Sequence, residues 1–289
     1  MPRKRIQQSP LIQSATKEIL KKRGKLGKQI KLKQPRHLER QYLKGILQFH
    51  KKARDLVRTM FISQLANFQS RALDSLNLDG YGEDISRTME QVKIRFWTEV
   101  TEPDIERLAT NAGRQIEAFN ATQVNRAFQS VIGIPVDAMF PDADEVIGAF
   151  VKENVSYIKK NLEQYFSEIQ EVATRNFRAG RRAADWQGEL VKRFKISEKR
   201  AALIARDQTN KFNGELNKTR QMALGVRTYT WRTSEDDAVR PSHEDLNGKQ
   251  FAWTGEPSPP EGHPGQPINC RCTADPDIES VLPPRDRPK

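Results

Sequence analysis

The spacing of apolar residues constrains this fold more than any other feature of the sequence. Between residues 36 and 223 apolar side chains recur every three or four positions, as at Leu38, Tyr42 and Ile46, which is the period of an α-helix with one buried face. Over residues 226–233, V-R-T-Y-T-W-R-T, the period changes to two, as in a half-buried β-strand. The sequence therefore predicts a mainly α protein with long helices, followed by a small C-terminal α+β module of short strands rich in proline and glycine.

Turn and capping signals divide the chain into elements. T-E-P-D at residues 101–104 places a proline in the first turn of a helix, and Ser197 is a candidate N-cap. We predict helices over residues 12–22, 36–76 (with a break near Gly45 as an alternative), 84–100, 101–127, 143–178, 183–194 and 198–223. Strands are predicted over residues 226–233, 249–253 and 270–274.

These boundaries also suggest a division into regions. We predict a basic flexible arm over residues 1–35, an N-terminal helical region over 36–130, a central helical region over 131–225, a signature module over 226–275 and an extended tail over 276–289. Hydrophobic residues make up 36% of the chain and charged residues 30%, so the cores are expected to be modest. Such a chain is expected to complete its burial against partner subunits.

Positive charge is concentrated at the N-terminus. The net charge is +12, yet residues 1–60 hold 18 Lys and Arg against 3 Asp and Glu, which leaves the remainder slightly acidic. Contacts between basic side chains and phosphates would let this arm bind double-stranded DNA without sequence preference. The candidate residues are Lys17, Lys21, Lys22, Arg23, Lys25, Lys28, Lys31 and Lys33. A solvated leader and a contact with an anionic partner protein are the alternatives.

The sequence contains no signal for a membrane or for secretion. No run of about 18 apolar residues is present, so we predict neither a membrane-spanning helix nor a membrane partner. The first ten residues lack the apolar core of a secretory signal, and two cysteines do not make a disulfide framework. These features indicate a protein made in a cytoplasm.

Side chains that can bind metal are scarce and clustered. The only cysteines, Cys270 and Cys272, and two of the four histidines, His243 and His263, lie between residues 243 and 272. A small module of short strands buries little apolar surface, and structural zinc is bound by four N and S ligands. A structural zinc on these four residues is therefore a hypothesis. Because C-x-C is shorter than the usual C-x-x-C, two alternatives stay open: buried cysteines with histidines bonded to the backbone, or a disulfide, which such positions rarely form.

Acidic residues surround the same histidine. Residues 235–237 read E-D-D, and residues 244–245, E-D, follow His243. Carboxylates that hold Mg²⁺ would suit a metal-dependent DNA-processing hydrolase. The more economical interpretation is that Asp237 and Arg240 form a charged pair that pins the turn after the first strand.

Short motifs follow one another along the C-terminal half. They are G-I-P-V at residues 133–136, E-N-V-S-Y-I-K-K at 153–160, R-D-Q-T-N-K-F-N-G at 206–214, L-G-V-R-T-Y-T-W at 224–231, V-R-P-S-H-E-D-L-N-G at 239–248 and H-P-G-Q-P-I-N-C-R-C at 263–272. In order and spacing they resemble the phage Mu F-type minor head proteins, also called phage head morphogenesis proteins, over roughly residues 121–274. The positions that carry the resemblance are Arg206, Asn210, Trp231, Asp237, Arg240, His243, Gly248, His263, Pro264, Asn269, Cys270 and Cys272.

The resemblance implies a minor capsid protein of a tailed bacteriophage that acts in head assembly near the portal vertex. It implies the portal protein and a major capsid or scaffolding protein as partners, and a location in the virion after assembly in the host cytoplasm. It implies no catalytic residue, and the P-loop, nucleophile-elbow and H-E-x-x-H motifs do not occur in the sequence. We therefore predict that the chain is not an enzyme. The hydrolase and a non-specific DNA-binding protein are the alternatives.

One polar helix face permits two interpretations. The helix that precedes the module carries Arg206, Asp207, Asn210 and Asn213 along one side. Such a face is either solvated or cradles the terminal module.

Overall fold

The computed structural model of the chain describes residues 10–23, 26–68, 80–236 and 239–281. Its helices are α1 Pro10–Arg23, α2 Arg36–Leu56, α3 Gly80–Glu99, α4 Glu102–Ile132, α5 Asp144–Arg178, α6 Ala183–Ala223 and α7 Pro241–Glu244, and its strands are β1 Thr228–Arg232, β2 Gln250–Ala252 and β3 Thr273–Pro276. The predicted fold class, mainly α with a small β-containing module near the C-terminus, is confirmed. No helix in the described part of the chain is long and apolar enough to cross a membrane.

Two predicted interruptions do not occur. Helix α2 runs through Gly45 without a break and continues after Leu56 as a π-helical turn, Val57–Phe61. The predicted helices 183–194 and 198–223 are one helix, α6, so the prediction of Ser197 as an N-cap is wrong. Ser197 is buried, its carbonyl oxygen accepts a hydrogen bond from Asn161 Nδ2 over 3.2 Å, and its hydroxyl lies 3.5 Å from Asn161 Oδ1. A tertiary partner therefore satisfies the polar groups that would otherwise favour a helix end.

The sheet is antiparallel, with strand order β2-β1-β3. Alternation along β1 buries Tyr229 and Trp231, as predicted from the period of two. Tyr229 pairs with Phe251 of β2, and Trp231 pairs with Ala274 of β3. The third strand begins at Thr273 rather than at residue 270, so both cysteines precede the strand on which we expected them.

The chain divides into two compact units, one of which consists of residues 39–111 and 149–206. Its core is aromatic: the rings of Phe96 and Phe166 meet edge to face with centroids 5.3 Å apart. Some of its buried polar groups are paired, and the Tyr42 hydroxyl donates to Asn154 Oδ1 over 2.8 Å. His50 Nε2 lies 2.9 Å from the amide nitrogen of Asn161. We call this unit the helical unit.

The other unit, called here the signature unit, consists of residues 1–38, 112–148 and 207–289. Its main apolar cluster combines distant parts of the sequence: Ile12 and Leu32, then Val124 and Phe128 of α4, then Leu224, Val226, Ile278 and Val281. The expected flexible arm over residues 1–35 is, in its described part, helix α1 and an extended segment of residues 26–35. Both contribute buried side chains, so this part of the arm belongs to the core of the unit.

Candidate functional site

The signature unit ends in a small aromatic core beneath the sheet. Strand β1 supplies Tyr229 and Trp231, and the segments on either side of β2 supply further apolar groups. The complete cluster is Tyr229, Trp231, Leu246, Phe251, Trp253, Cys270, Cys272 and Ala274. Both cysteines are therefore part of a packed interior, and the chain segment between β2 and β3 delivers them there.

His243 lies directly beside the two sulfurs. It is held by the short helix α7, which Pro241 begins, and it is 2% exposed. Its Nδ1 is 3.5 Å from Cys272 Sγ and 3.8 Å from Cys270 Sγ. The three donor atoms lie within 4.8 Å of one another, and all three residues are buried. This His-Cys-Cys cluster is the set of side chains most suited to metal binding in the described residues.

The other ring nitrogen of His243 faces a carboxylate. Glu261 Oε2 lies 3.4 Å from His243 Nε2, beyond the usual hydrogen-bond distance, and this buried nitrogen has no hydrogen-bond partner. Burial lowers the pKa of His243, and the nearby Arg240 charge lowers it further, although Glu261 acts in the opposite direction. The imidazole is therefore neutral at pH 7, and a proton on Nε2 would leave the Nδ1 lone pair directed at the sulfurs.

The two thiols influence each other. A hydrogen bond from the Cys272 thiol lowers the pKa of Cys270, and the backbone N–H of Gly265, 3.4 Å from Cys270 Sγ, lowers it further. The same thiol–thiol hydrogen bond, together with burial, raises the pKa of Cys272. Both cysteines are free, so the disulfide alternative is not what the structure shows. The shared hydrogen bond therefore shifts the pKa values of the two thiols in opposite directions.

His263 does not join the cluster, which corrects the predicted set of four ligands. Its Nδ1 lies 2.8 Å from the Tyr229 hydroxyl, and its ring packs on Trp253 with centroids 5.1 Å apart. The hydroxyl and the indole account for its place in the aromatic core. Sequence proximity to the cysteines was therefore a misleading signal for this histidine.

The carboxylates near the cluster have other partners. Asp236 Oδ2 accepts hydrogen bonds from Arg36 over 2.6 Å and from Arg271 over 3.1 Å. Asp237 lies outside the described residues, so its predicted pair with Arg240 stays a prediction. Arg240 donates to the carbonyl oxygen of Ile268 and lies 3.2 Å from Glu261. Glu244 and Asp245 are exposed, and the His-Cys-Cys cluster contains no carboxylate ligand.

The polar face of α6 packs against the module, which was one of the two interpretations of this face that the sequence permitted. Asp207 Oδ1 accepts the backbone N–H of Asn269 over 3.2 Å, and a Cβ on Gly265 would collide with the carbonyl oxygen of the buried Asn210. Asn213 is also buried, but its amide donates to Gln34 instead. Further along, a Cβ on Gly214 would collide with the carbonyl oxygen of Pro264. The absence of a side chain at Gly214 therefore lets the H-P-G turn approach the helix backbone.

Gln221, near the end of α6, was missed by sequence reasoning. It is fully buried; its Nε2 donates to the Ala274 carbonyl oxygen over 2.8 Å, and its Oε1 accepts from Trp253 Nε1 over 2.9 Å. One amide thus joins α6 to two parts of the module. Nothing in the local sequence distinguishes this glutamine from a solvated one.

The remaining signature positions have structural roles. Arg206 Nε lies 3.2 Å from Glu39 Oε1 within the helical unit. Gly248 and Asn269 adopt positive φ angles of 80° and 61°, conformations that favour these residue types. The N–H of Gly248 donates to the Trp231 carbonyl oxygen over 2.8 Å, which closes the turn between β1 and β2.

The candidate DNA-contact residues that the structure describes lie on α1 and on the extended segment. Alternation along that segment buries Leu32, whose N–H donates to Asp275 Oδ1 over 2.9 Å, and leaves Lys31 and Lys33 exposed. The exposed candidates are Lys17, Lys21, Lys22, Lys28, Lys31 and Lys33. The side chain of Arg23 and the whole of Lys25 are outside the described part of the chain. Lys22 pairs with Glu18 over 2.6 Å at the surface, a contact that screening makes weak.

Part of the chain is similar to a known protein family. Residues 167–275 match the family described as Phage Mu protein F like protein. The chain contains a phage Mu F-like region. This match confirms the predicted resemblance over a shorter range than expected, and it contains every signature position. The F-like region begins within α5 and ends in β3.

A relative extends the similarity beyond the F-like region. An uncharacterized protein of Haemophilus influenzae (strain ATCC 51907 / DSM 11121 / KW20 / Rd) is 27% identical over 230 residues, which cover 76% of this chain and 51% of that protein. The chain thus spans about half the length of this relative. No solved structure matches the chain.

Proposed function

We propose that this chain is a minor capsid protein of a tailed bacteriophage that acts in head assembly at the portal vertex. The observation that carries the proposal is the F-like match over residues 167–275, because it contains all the signature positions. The structure supports it indirectly: signature residues hold the module against α6 through Asn269 and the H-P-G turn. A rigid module of this kind suits a docking element.

An exposed apolar residue identifies the surface to test. Ile268, in the motif H-P-G-Q-P-I-N-C-R-C, is 62% exposed, and its carbonyl oxygen is held by Arg240. An aliphatic side chain on a fixed backbone can serve as the anchor of an interface when it enters a pocket of the partner. We propose that Ile268 contacts the portal protein.

The test is co-expression with the portal protein of the same phage, followed by size-exclusion chromatography. The proposal predicts that the chain elutes with the portal ring and that Ile268→Ser weakens this co-elution. Ile94→Ser is the matched control, because Ile94 is 60% exposed but lies outside the F-like region. A chain that elutes apart from the portal ring would contradict the portal assignment, and equal effects of both variants would contradict the role of Ile268.

We further propose that the basic N-terminal residues contact the packaged DNA. Lys28, Lys31 and Lys33 are exposed, and the ion pair of Lys31 with the exposed Glu235 is long, at 3.9 Å. Each phosphate contact contributes about 0.9 to the slope of log affinity against log salt concentration. Replacement of the three lysines by glutamine should therefore reduce the slope by up to about 3, without any change in sequence preference.

The control removes the same charge elsewhere. Lys152, Lys160 and Lys192 are exposed in the helical unit, and their replacement by glutamine should leave the slope almost unchanged. Fluorescence anisotropy with duplex DNA at several salt concentrations measures both variants. Equal slopes for the two triple variants would contradict this DNA contact. Deletion of residues 1–35 is a poorer test, because Ile12 and Leu32 belong to the core.

The hydrolase alternative receives no specific support from the described residues. The carboxylate of Asp236 is bound by two arginines, and the His-Cys-Cys cluster contains no carboxylate, whereas Mg²⁺ prefers oxygen ligands. Plasmid cleavage with Mg²⁺ that His243→Ala abolishes would favour the hydrolase instead.

A further inference from the structure

We propose that His243, Cys270 and Cys272 bind one zinc ion, through Nδ1 of the histidine and the two sulfurs. Thiolate and imidazole are the ligands that zinc favours in structural sites. All three residues are at most 2% exposed, and their donor atoms lie within 4.8 Å of one another. The proposal concerns the stability of the module and is independent of the proposed role at the portal.

The distances agree with tetrahedral coordination. Zn–N bonds of about 2.0–2.1 Å and Zn–S bonds of about 2.3 Å place nitrogen and sulfur about 3.6 Å apart across a tetrahedral ion. The distances from His243 Nδ1 to the two sulfurs are 3.5 Å and 3.8 Å. Both nitrogen–sulfur distances are therefore already close to the tetrahedral value.

A carboxylate behind the histidine supports the same assignment. Histidines that bind metal usually donate their other ring N–H to a carboxylate or carbonyl group, which fixes the tautomer and the orientation of the ring. Glu261 Oε2 lies on that side of the ring, 3.4 Å from His243 Nε2, a buried nitrogen that has no hydrogen-bond partner in the structure. Arg240 lies 3.2 Å from the same oxygen of Glu261 and steadies it. Glu261 is thus a positioning residue rather than a ligand.

A bound ion would stabilise this small module. Because a metal that binds the folded state far more tightly than the unfolded state stabilises the fold, zinc would tie α7 to the segment that precedes β3. Three protein ligands leave one tetrahedral position for a water molecule or for a ligand beyond the described residues. The competing explanation is that thiol–imidazole hydrogen bonds alone produce these distances.

Metal analysis of the reduced full-length protein distinguishes the two explanations. We expect about one equivalent of zinc in the unmodified protein and less than about a tenth in Cys272→Ser and His243→Gln, since structural sites need their full ligand set. His263→Gln is the matched control: it removes a histidine of the same module outside the cluster and should retain zinc. Loss of zinc from His263→Gln would overturn the assignment.

Cobalt provides a readout that does not depend on any variant. The unmodified protein, stripped by a chelator and titrated with Co²⁺, should show the visible bands of a tetrahedral ion and the near-ultraviolet charge-transfer band of thiolate ligands. Chelation should lower the melting temperature, and zinc should restore it.

Glu261→Gln should keep the spectrum and weaken zinc affinity about 10- to 100-fold. A reduced protein that binds neither Zn²⁺ nor Co²⁺ would overturn the proposal and leave hydrogen bonds as the explanation.

Discussion

Gln221 is the residue of α6 whose replacement we expect to loosen the module most directly. It is fully buried and bonds both to the Ala274 carbonyl oxygen, over 2.8 Å, and to the indole Nε1 of Trp253, over 2.9 Å. The substitution Gln221→Met keeps a long unbranched side chain of similar helix propensity but removes both hydrogen bonds.

The magnitude follows from the groups that are left behind. The buried indole N–H would have no partner, at a cost of about 1–3 kcal/mol, and the carbonyl would lose a hydrogen bond worth about 1 kcal/mol. The free energy of opening the module should therefore fall by about 2–4 kcal/mol. Amides that exchange through this opening should then exchange about 30 to 1,000 times faster.

Hydrogen exchange measured by mass spectrometry tests this expectation locally. The informative amides are those of Trp231 and Trp253, which donate to Lys249 and Arg227 over 2.8 Å and 2.9 Å. Gln187→Met, at an exposed position of the same helix, should leave their exchange unchanged. If Gln221→Met accelerates them by less than about threefold, or about 0.7 kcal/mol, the reasoning about Gln221 is wrong.

Two further predictions concern a glycine and a histidine. Gly214→Ala should destabilise the signature unit by about 1–3 kcal/mol through collision with Pro264, whereas Gly188→Ala on the same helix has open space and should gain up to about 1 kcal/mol; a gain at both positions in chemical denaturation would contradict the close approach. Burial lowers the pKa of His50 from 6.5 to about 4, so the unfolded chain binds the proton more readily and stability should be lost as the pH falls from 6.5 towards 4, by about 3 kcal/mol. His50→Gln should show a smaller acid loss than the unmodified protein and than His37→Gln on the exposed part of α2, and parallel pH profiles for all three would contradict the role of His50.

Local spacing predicts the elements of this protein but not their partners. The period of 3.6 and the later alternation locate most helices and the strand β1, because each pattern depends only on which side of an element is buried. Ser197 shows the limit of such reasoning. A serine is a good N-cap when nothing else satisfies its polar groups, and Asn161, 36 positions earlier, satisfies them here.

The sequence indicated that the candidate site would consist of histidine and cysteine. It identified only part of the set of residues that lie together in the structure. Scarcity of cysteine and histidine pointed to His243, Cys270 and Cys272 because few other residues could share their chemistry. His263 was included by proximity alone, and the Tyr229 hydroxyl and Trp253 account for it instead. Glu261 was not recognised, since a single exposed glutamate in a loop carries no local signal.

The basic N-terminal segment was predicted by charge but not by position. Its lysines suggested a free arm, and the local sequence around Ile12 and Leu32 does not show which part of the chain covers them. Their burial depends on Val124 and Phe128, about a hundred residues away. Only tertiary structure reveals this kind of long-range packing.

The packing of Leu32 has a consequence for how the F-like region can be exchanged between proteins. The region of residues 167–275 omits Ile12, Leu32, Val124 and Phe128, which fill the core beside its last strand, and it omits the N–H that Leu32 donates to Asp275. It is therefore a shared stretch of sequence rather than a portable domain. A chimaera that grafts it onto another chain would expose an apolar face and a buried carboxylate, unless the host supplied an extended strand and a helix in their place.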